Sequence, residues 1–245
     1  MNPNPKLRKA ERHKPVYKLN AFPSDFGLKL GKELIYVLAT RENPDISGDD
    51  WEQIFARCIG VEWKKSNVGL EDVVKGKTAW SAKTVKNKKP FKHSHVRLIT
   101  GRNSVDYSFD VKNVHDEDPG RIGAMVLDIW NARFKNELSQ FSDLRTAVLI
   151  RNELLTEFSV MEIETKPFNP EDYTWDWNSK NNLEGYEKTT GKHRFTWQPH
   201  GSQFTHIPDL PSRRLKLRVK KPPMVSQEYV LDEIKFDPAW IEIVE

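Results

Sequence analysis

The apolar positions of this chain follow two different periods. In SGDDWEQIFARCIGV, Trp51, Ile54, Phe55, Cys58 and Ile59 recur at helical spacing, which predicts a helix that buries one face. Ser47 or Asp49 can cap its start, and Gly60 ends it. DPGRIGAMVLDIWNARFKNELSQF repeats the pattern at greater length, with Pro119 near its start and Ile122, Met125, Val126, Ile129, Trp130 and Phe134 on one side. The remaining apolar runs are short. EDVVKG and TAWSAKTV, joined at Gly76-Lys77, read as a hairpin, and HVRLITG and RRLKLRVK as further strands. RTAVLIRN and EFSVMEIET are apolar enough for the centre of a sheet. This order predicts a mixed α/β (α+β) fold, a central mixed β-sheet flanked by helices, in a single domain over residues 21–245. Residues 1–20 form a basic arm, mobile or wrapped on the surface. From Phe168 to residue 223 the chain turns aromatic, polar and turn-rich before a basic strand, as an insertion would.

Composition narrows the class. At 245 residues with 37% hydrophobic and 11% aromatic content, the chain can build a real core. No apolar run approaches the about 18 residues of a membrane span, and MNPNPKLRKAERHKP lacks the apolar stretch of a secretory leader. A soluble intracellular protein is expected. The lone Cys58 excludes an internal disulfide framework and any cysteine-based zinc site.

Net charge is only +4, but it is polarised along the sequence. Val73 to Val105 holds no acid, and carries Lys75, Lys77, Lys83, Lys86, Lys88, Lys89, Lys92, Arg97 and Arg102. SRRLKLRVKKPP adds Arg213, Arg214, Lys216, Arg218, Lys220 and Lys221. Between Glu157 and Glu187 eight acids face Lys166 and Lys180. Basic clusters of this kind bind and steer phosphate backbones through counterion release.

The segment that carries chemistry is EDVVKGKTAWSAK. An acid, Asp72, begins one strand; a tight turn returns the chain; and Lys83 sits among apolar neighbours on the next. Alternation puts Ser81 and Lys83 on one face, and so short a hairpin can bring Asp72 and Lys83 to one bound water. A carboxylate holds a hard divalent cation, and a partly desolvated lysine can orient or deprotonate the attacking water. The cation neutralises the charge that grows on a phosphate in the transition state.

Over about Asp49 to Lys166 the chain resembles the PD-(D/E)xK nuclease superfamily, and within it the type II restriction endonucleases. The resemblance rests on the order helix, acid-bearing strand, hairpin, strand with x-Lys, helix, strand, and on Asp72 and Lys83. Glu71 stands where that family has Pro, and Ser81 where it has its second acid. The resemblance implies a restriction-endonuclease-like core and a Mg²⁺-dependent, site-specific double-stranded DNA endonuclease of the prokaryotic cytoplasm, often a homodimer matched to a palindromic site. It further implies that Asp72, Lys83 and Ser81 form the catalytic motif and that a neighbouring helix lends the missing acid. Glu52 and Asp128 are the candidates, and Glu52 with Asp72 the preferred metal ligands.

A rival motif, Glu164-Thr-Lys166 with Asp143 as partner acid, ranks lower, because Glu162, Glu164 and Lys166 at alternate positions suit an exposed strand face with alternating charge. GKHRFTWQPHGSQFTH supplies Arg194, Gln198, His200, Ser202 and Gln203, side chains suited to base edges and phosphates. With Lys86, Lys88, Arg213 and Arg214 they form the expected DNA-binding set. His193, His200 and His206 lack zinc-finger spacing, and no G-x-S-x-G motif is present. The competing reading of the whole is a non-catalytic nucleic-acid-binding protein with a degenerate nuclease core.

Overall fold

A computed structural model describes residues 14–63 and 71–244. Most of the basic arm, with Lys6, Arg8, Lys9 and Arg12, lies outside the described residues. The fold is mixed α/β with two five-stranded sheets rather than one.

The first sheet holds the predicted hairpin. Strand β1 (Val73–Lys75) turns at Gly76, whose φ of +61° suits glycine, into β2 (Thr78–Lys86). β2 pairs in parallel with β4 (Asp143–Arg151) over nine residues. β4 returns antiparallel through β5 (Glu157–Glu164), and β10 (Leu215–Arg218) closes the order β1-β2-β4-β5-β10. The second sheet joins β3 (Leu98–Arg102) to the meander β6 (Tyr173–Trp177), β7 (Leu183–Glu187), β8 (His193–Gln198) and β9 (Gln203–His206), in the order β3-β9-β8-β7-β6. The stretch expected as an insertion, with a groove-reading loop over 191–206, is largely β-structure, and 193–206 is the β8–β9 hairpin.

Two helices cover one face of the first sheet. α2 (Gly48–Ile59) is the predicted helix, capped by Ser47 in a capping box with Asp50 and ended by Gly60 in the left-handed region. Trp51 donates its indole N–H to the Ala147 carbonyl at 2.9 Å, which pins α2 onto β4. α1 (Phe26–Thr40) is not anticipated. Asp25 gives it no side-chain cap, and Gly27 and Gly31 cost about 1 kcal/mol each in helix propensity. It stands because Phe26, Leu30, Leu34, Val37 and Leu38 are buried against α2 and the sheet.

A short α3 (Val105–Phe109) leads to α4 (Pro119–Leu138), which Asp118 caps and which packs Ile122, Val126, Leu127 and Trp130 onto the second sheet. Gly123 permits this packing, since a Cβ there would lie 2.2 Å from the Trp175 ring. A third apolar cluster, with Leu98, Val148, Ile150 and Met161, links β3 to the other face of the first sheet. Beyond these lies α5 (Gln227–Glu233), none of whose residues is buried.

Glu162 corrects the reading of an exposed charged strand face. It is 0% exposed and accepts from Trp80 Nε1 (2.6 Å), Asn20 N (2.8 Å), Tyr17 Oη (2.9 Å) and Arg145 Nη1 (3.1 Å). Arg145 also pairs with Asp143 at 2.7 Å. Burial and the Glu162 charge push the Tyr17 phenol well above its ordinary pKa. Tyr17 and Asn20 are therefore anchored in the core, so the arm's last residues are fixed. Glu162→Ala would strip Trp80 Nε1, Asn20 N and Arg145 Nη1 of their buried acceptor, Arg145 keeping Asp143 and the Tyr17 carbonyl. It is expected to cost about 3–5 kcal/mol in urea unfolding; a drop under about 1 kcal/mol would show that the network contributes little.

Candidate active site at the edge of the first sheet

β1 is an edge strand three residues long, and Val73 opposite Trp80 is its last pair. Beyond it, the backbone N–H of Ala82 faces an open edge. The Asp72 carboxylate fills that gap, accepting from Ala82 N at 2.7 Å, while the Asp72 N–H donates to the Trp80 carbonyl at 2.7 Å. The same oxygen, Oδ2, accepts from the Ser81 hydroxyl at 3.2 Å and from Lys83 Nζ at 3.4 Å. The acid and the lysine that the sequence singles out thus form a half-buried ion pair, with side-chain exposures of 21% and 29%. Oδ1 accepts no hydrogen bond among the described residues.

Alternation along β2 sends Trp80 and Ala82 toward α1 and α2, and Ser81, Lys83 and Val85 toward the other face. An acid in the plane of the sheet edge can be reached from both. From the helical face comes Glu52 on α2. Its carboxyl is pushed above the usual carboxylate range, first by burial and next by the negative charge of Asp72; the indole N–H of Trp63, 3.2 Å away, and Lys83 pull it back. Asp72 and Lys83 thus act on Glu52 through charge alone, and among the described residues its hydrogen-bond partner is Trp63. Asp128 is exposed on α4, the helix that covers the second sheet. Trp63 is a participant that the sequence did not signal.

The donors are hard oxygens, which suit Mg²⁺, an ion held through one or two carboxylates together with waters and substrate phosphates. Glu52 and Asp72 fit that pattern. Among the described residues no group of three or more His, Cys, Asp and Glu side chains converges as a preformed metal cluster. That also leaves His193, His200 and His206 without a shared site. His206 lies between Phe168 and Phe195, and burial, with Arg194 and Lys166 nearby, pushes its pKa down to about 3.

The expected DNA-binding side chains divide. Lys86, Lys88, His200 and Arg213 are exposed, although Lys86 lies 3.7 Å from Glu153. Gln198 and Gln203 face each other at the end of the β8–β9 hairpin. Its turn contains Ser202 in the left-handed region, tied to Asn103 through the Ser202 carbonyl. Two arginines are committed within the protein. Arg194 pairs with Glu187 and Asp209, each at 3.0 Å. Arg214 donates to the carbonyls of Phe91 and His93, each at 2.9 Å. Sequence shows their charge but not these partners.

No family model, curated protein or solved structure matches the chain. Among the described residues no helix is long and apolar enough to cross a membrane.

The coupling of Glu52 to Asp72 is testable by titration. Because the Glu52 pKa is raised in the fold, its burial favours the protonated form. The associated stabilisation is complete below the unfolded-state pKa and is lost as pH rises through the folded one. Asp72→Asn removes one of the two leading causes. The Glu52 carboxyl, followed by carbon-13 NMR, is then expected to titrate at lower pH than in the native chain, yet still above an ordinary glutamate. An unchanged midpoint would mean that Asp72 and Glu52 do not share a site.

Proposed function

We propose that the chain is a Mg²⁺-dependent endonuclease acting on double-stranded DNA, with a restriction-endonuclease-like core. The observation that carries this reading is the Asp72–Lys83 pair at the sheet edge, with Glu52 electrostatically joined to it from α2. The element order supports it as well. Helix α2, the acid, the hairpin and Ser-x-Lys on β2 come in the order of the resemblance, and β4 runs parallel to β2, whereas β3 and α3 intervene before α4, which packs on the second sheet.

In this reading Asp72 and Glu52 would hold the cation, which when bound would neutralise charge on the scissile phosphate. Lys83, held as an ammonium in its ion pair with Asp72, would position the attacking water and steady the negative charge it develops, while the water's proton leaves to solvent or to a phosphate oxygen. Ser81 holds Asp72 in place through its hydroxyl. The exposed cations Lys86, Lys88 and Arg213 bind the DNA backbone, and Gln203 with His200 at the hairpin tip faces base edges. Two copies on a palindromic site complete the proposal.

A second reading is a binding protein without catalysis. It draws on the crowding of Oδ2, since three protein donors on one oxygen give Asp72 a structural task that needs no metal.

Plasmid DNA incubated with Mg²⁺ separates the two. The nuclease reading predicts discrete fragments, whose rate of formation falls at least about a hundredfold in Asp72→Asn and in Lys83→Ala, while retardation of DNA on a gel persists. Retardation without cleavage under any divalent cation would favour the binder.

The division among the basic residues predicts two phenotypes. Arg213→Ala with Lys88→Ala should lower the log–log salt slope of DNA binding by roughly 0.9 for each phosphate no longer neutralised and leave thermal stability unchanged. Arg214→Ala should instead lower the unfolding temperature, because it frees two carbonyls. Equal slopes for native and doubly substituted protein would remove Arg213 and Lys88 from the interface.

A further inference from the structure

The segment 224–244 carries an ordered helix and a following turn but buries none of its large side chains. Tyr229, Val230, Ile234, Phe236, Trp240 and Ile241 are all exposed, Trp240 by 61% and Ile241 by 63%. Helix α5 is nonetheless properly built, with Ser226 accepting from the Tyr229 N–H at its start. Seven residues in water do not hold a helix by propensity alone, and a contiguous apolar surface of this kind marks a protein–protein interface.

A matching surface lies nearby. Val225 N donates to the Ala39 carbonyl at 2.8 Å, so the segment leaves the body beside the end of α1. On its outer side α1 exposes Leu28, Ile35 and Tyr36, at positions i, i+7 and i+8 of one stripe. That stripe borders a groove between α1 and α2 of about 560 Å³, lined by Tyr36, Val37 and Ile54 and by the cations Lys32, Arg41 and Arg57 with the acids Glu33 and Asp50. Arg41 and Arg57 already pair with Asp50 and Glu33, whereas Lys32 makes no ion pair among the described residues.

Charge indicates the occupant. Residues 226–245 carry six acids against Lys235 alone, so of the net +4 the preceding residues hold +9. The segment is an acidic, aromatic ligand attached to a basic body. We infer that the 224–244 segment docks on the outer face of α1 and the α1–α2 groove of a second copy of this chain, so that two copies exchange segments about a twofold axis.

A twofold interface needs a surface that complements itself, and a donor segment rooted beside its own acceptor stripe provides one. Tyr229, Phe236 and Trp240 are 58%, 39% and 61% exposed, so each can still bury roughly half of the about 150–250 Å² of an aromatic side chain. Given twice by reciprocal exchange and matched by equal area on the acceptor stripes, they approach the low end of a standard interface, about 1,200 Å² in total. The inference rests on exposed surface and charge, and stands whether or not the chain cleaves DNA.

Two measurements test it together. Light scattering at micromolar concentration is expected to give twice 28.6 kDa for the native chain. Ile234→Asp with Trp240→Asp should weaken dimerisation at least tenfold with unchanged circular dichroism, since both side chains are exposed in the single copy. Disulfide trapping then locates the interface. The native Cys58 is buried, its thiol pushed up to about 12 chiefly by that burial, so it stays silent. Copies bearing Tyr36→Cys, mixed with copies bearing Ile241→Cys, should oxidise to a covalent heterodimer, with mass spectrometry linking positions 36 and 241.

A monomeric native chain would overturn the inference, as would a dimer that the aspartates leave intact. A link formed only when both cysteines lie in one chain would show docking in cis and overturn it equally.

Discussion

The backbone N–H of Ala82 has no strand beside it. β1 is too short to reach it, and a half-buried amide left unpaired costs about 1–3 kcal/mol. Asp72 supplies the acceptor from its side chain. That task fixes the carboxylate in the plane of the sheet edge, where Lys83 reaches it from one face and Glu52 senses it from the other. The proposed chemistry depends on this arrangement. A longer β1 would pair Ala82 by backbone and leave the acid free to turn to solvent.

Rigid neighbours hold the arrangement. β2 lies between β1 and β4, its parallel pairing to β4 continuous from Thr78 to Lys86. Trp80, one residue before Ser81, is fully buried and hydrogen-bonded to Glu162, whose partner Arg145 sits on the adjoining strand. α2, which carries Glu52, is held to β4 by Trp51. Lys83 and Glu52 thus stand on a strand and a helix, and Asp72, the residue just before β1, is tied to β2 through both its backbone N–H and its carboxylate, as a catalytic constellation needs if its distances are to be kept. The second sheet contributes differently. Its core is closed by α4, and its hairpin tip presents Gln203 and His200 without belonging to the Asp72 site.

Much of this was legible in the residues. Strong helical periods with caps foretold α2 and α4, and unbroken apolar runs foretold β4 and β5. The glycine turn placed the Asp72–Lys83 hairpin. What was hidden has physical reasons. α1 carries two glycines and no cap, so only packing sustains it. The strands of the second sheet are four to six residues long, with register shifts at Ile99/Gly101 and Gly185/Tyr186 that blur alternation. Arg194 and Arg214 read as free cations because their partners lie across the β7–β8 hairpin and at Asp209 for the first, and more than a hundred residues away for the second, where local pattern leaves no trace. Glu162 read as exposed because a buried acid and a solvated one share the same letter until Tyr17, Asn20 and Arg145 are brought to it.

The central claim is that Asp72 and Glu52 converge on one divalent cation beside Lys83. Crystals of the protein with a DNA duplex, soaked in Mn²⁺ and measured at its absorption edge, address it directly. The account predicts an anomalous peak bonded to Asp72 Oδ1, with Glu52 as second ligand or bridged through one water, and a phosphate oxygen completing the shell. A duplex bound elsewhere, with no ion at the edge of β1 and Asp72 engaged only by Ser81, Ala82 and Lys83, would contradict it.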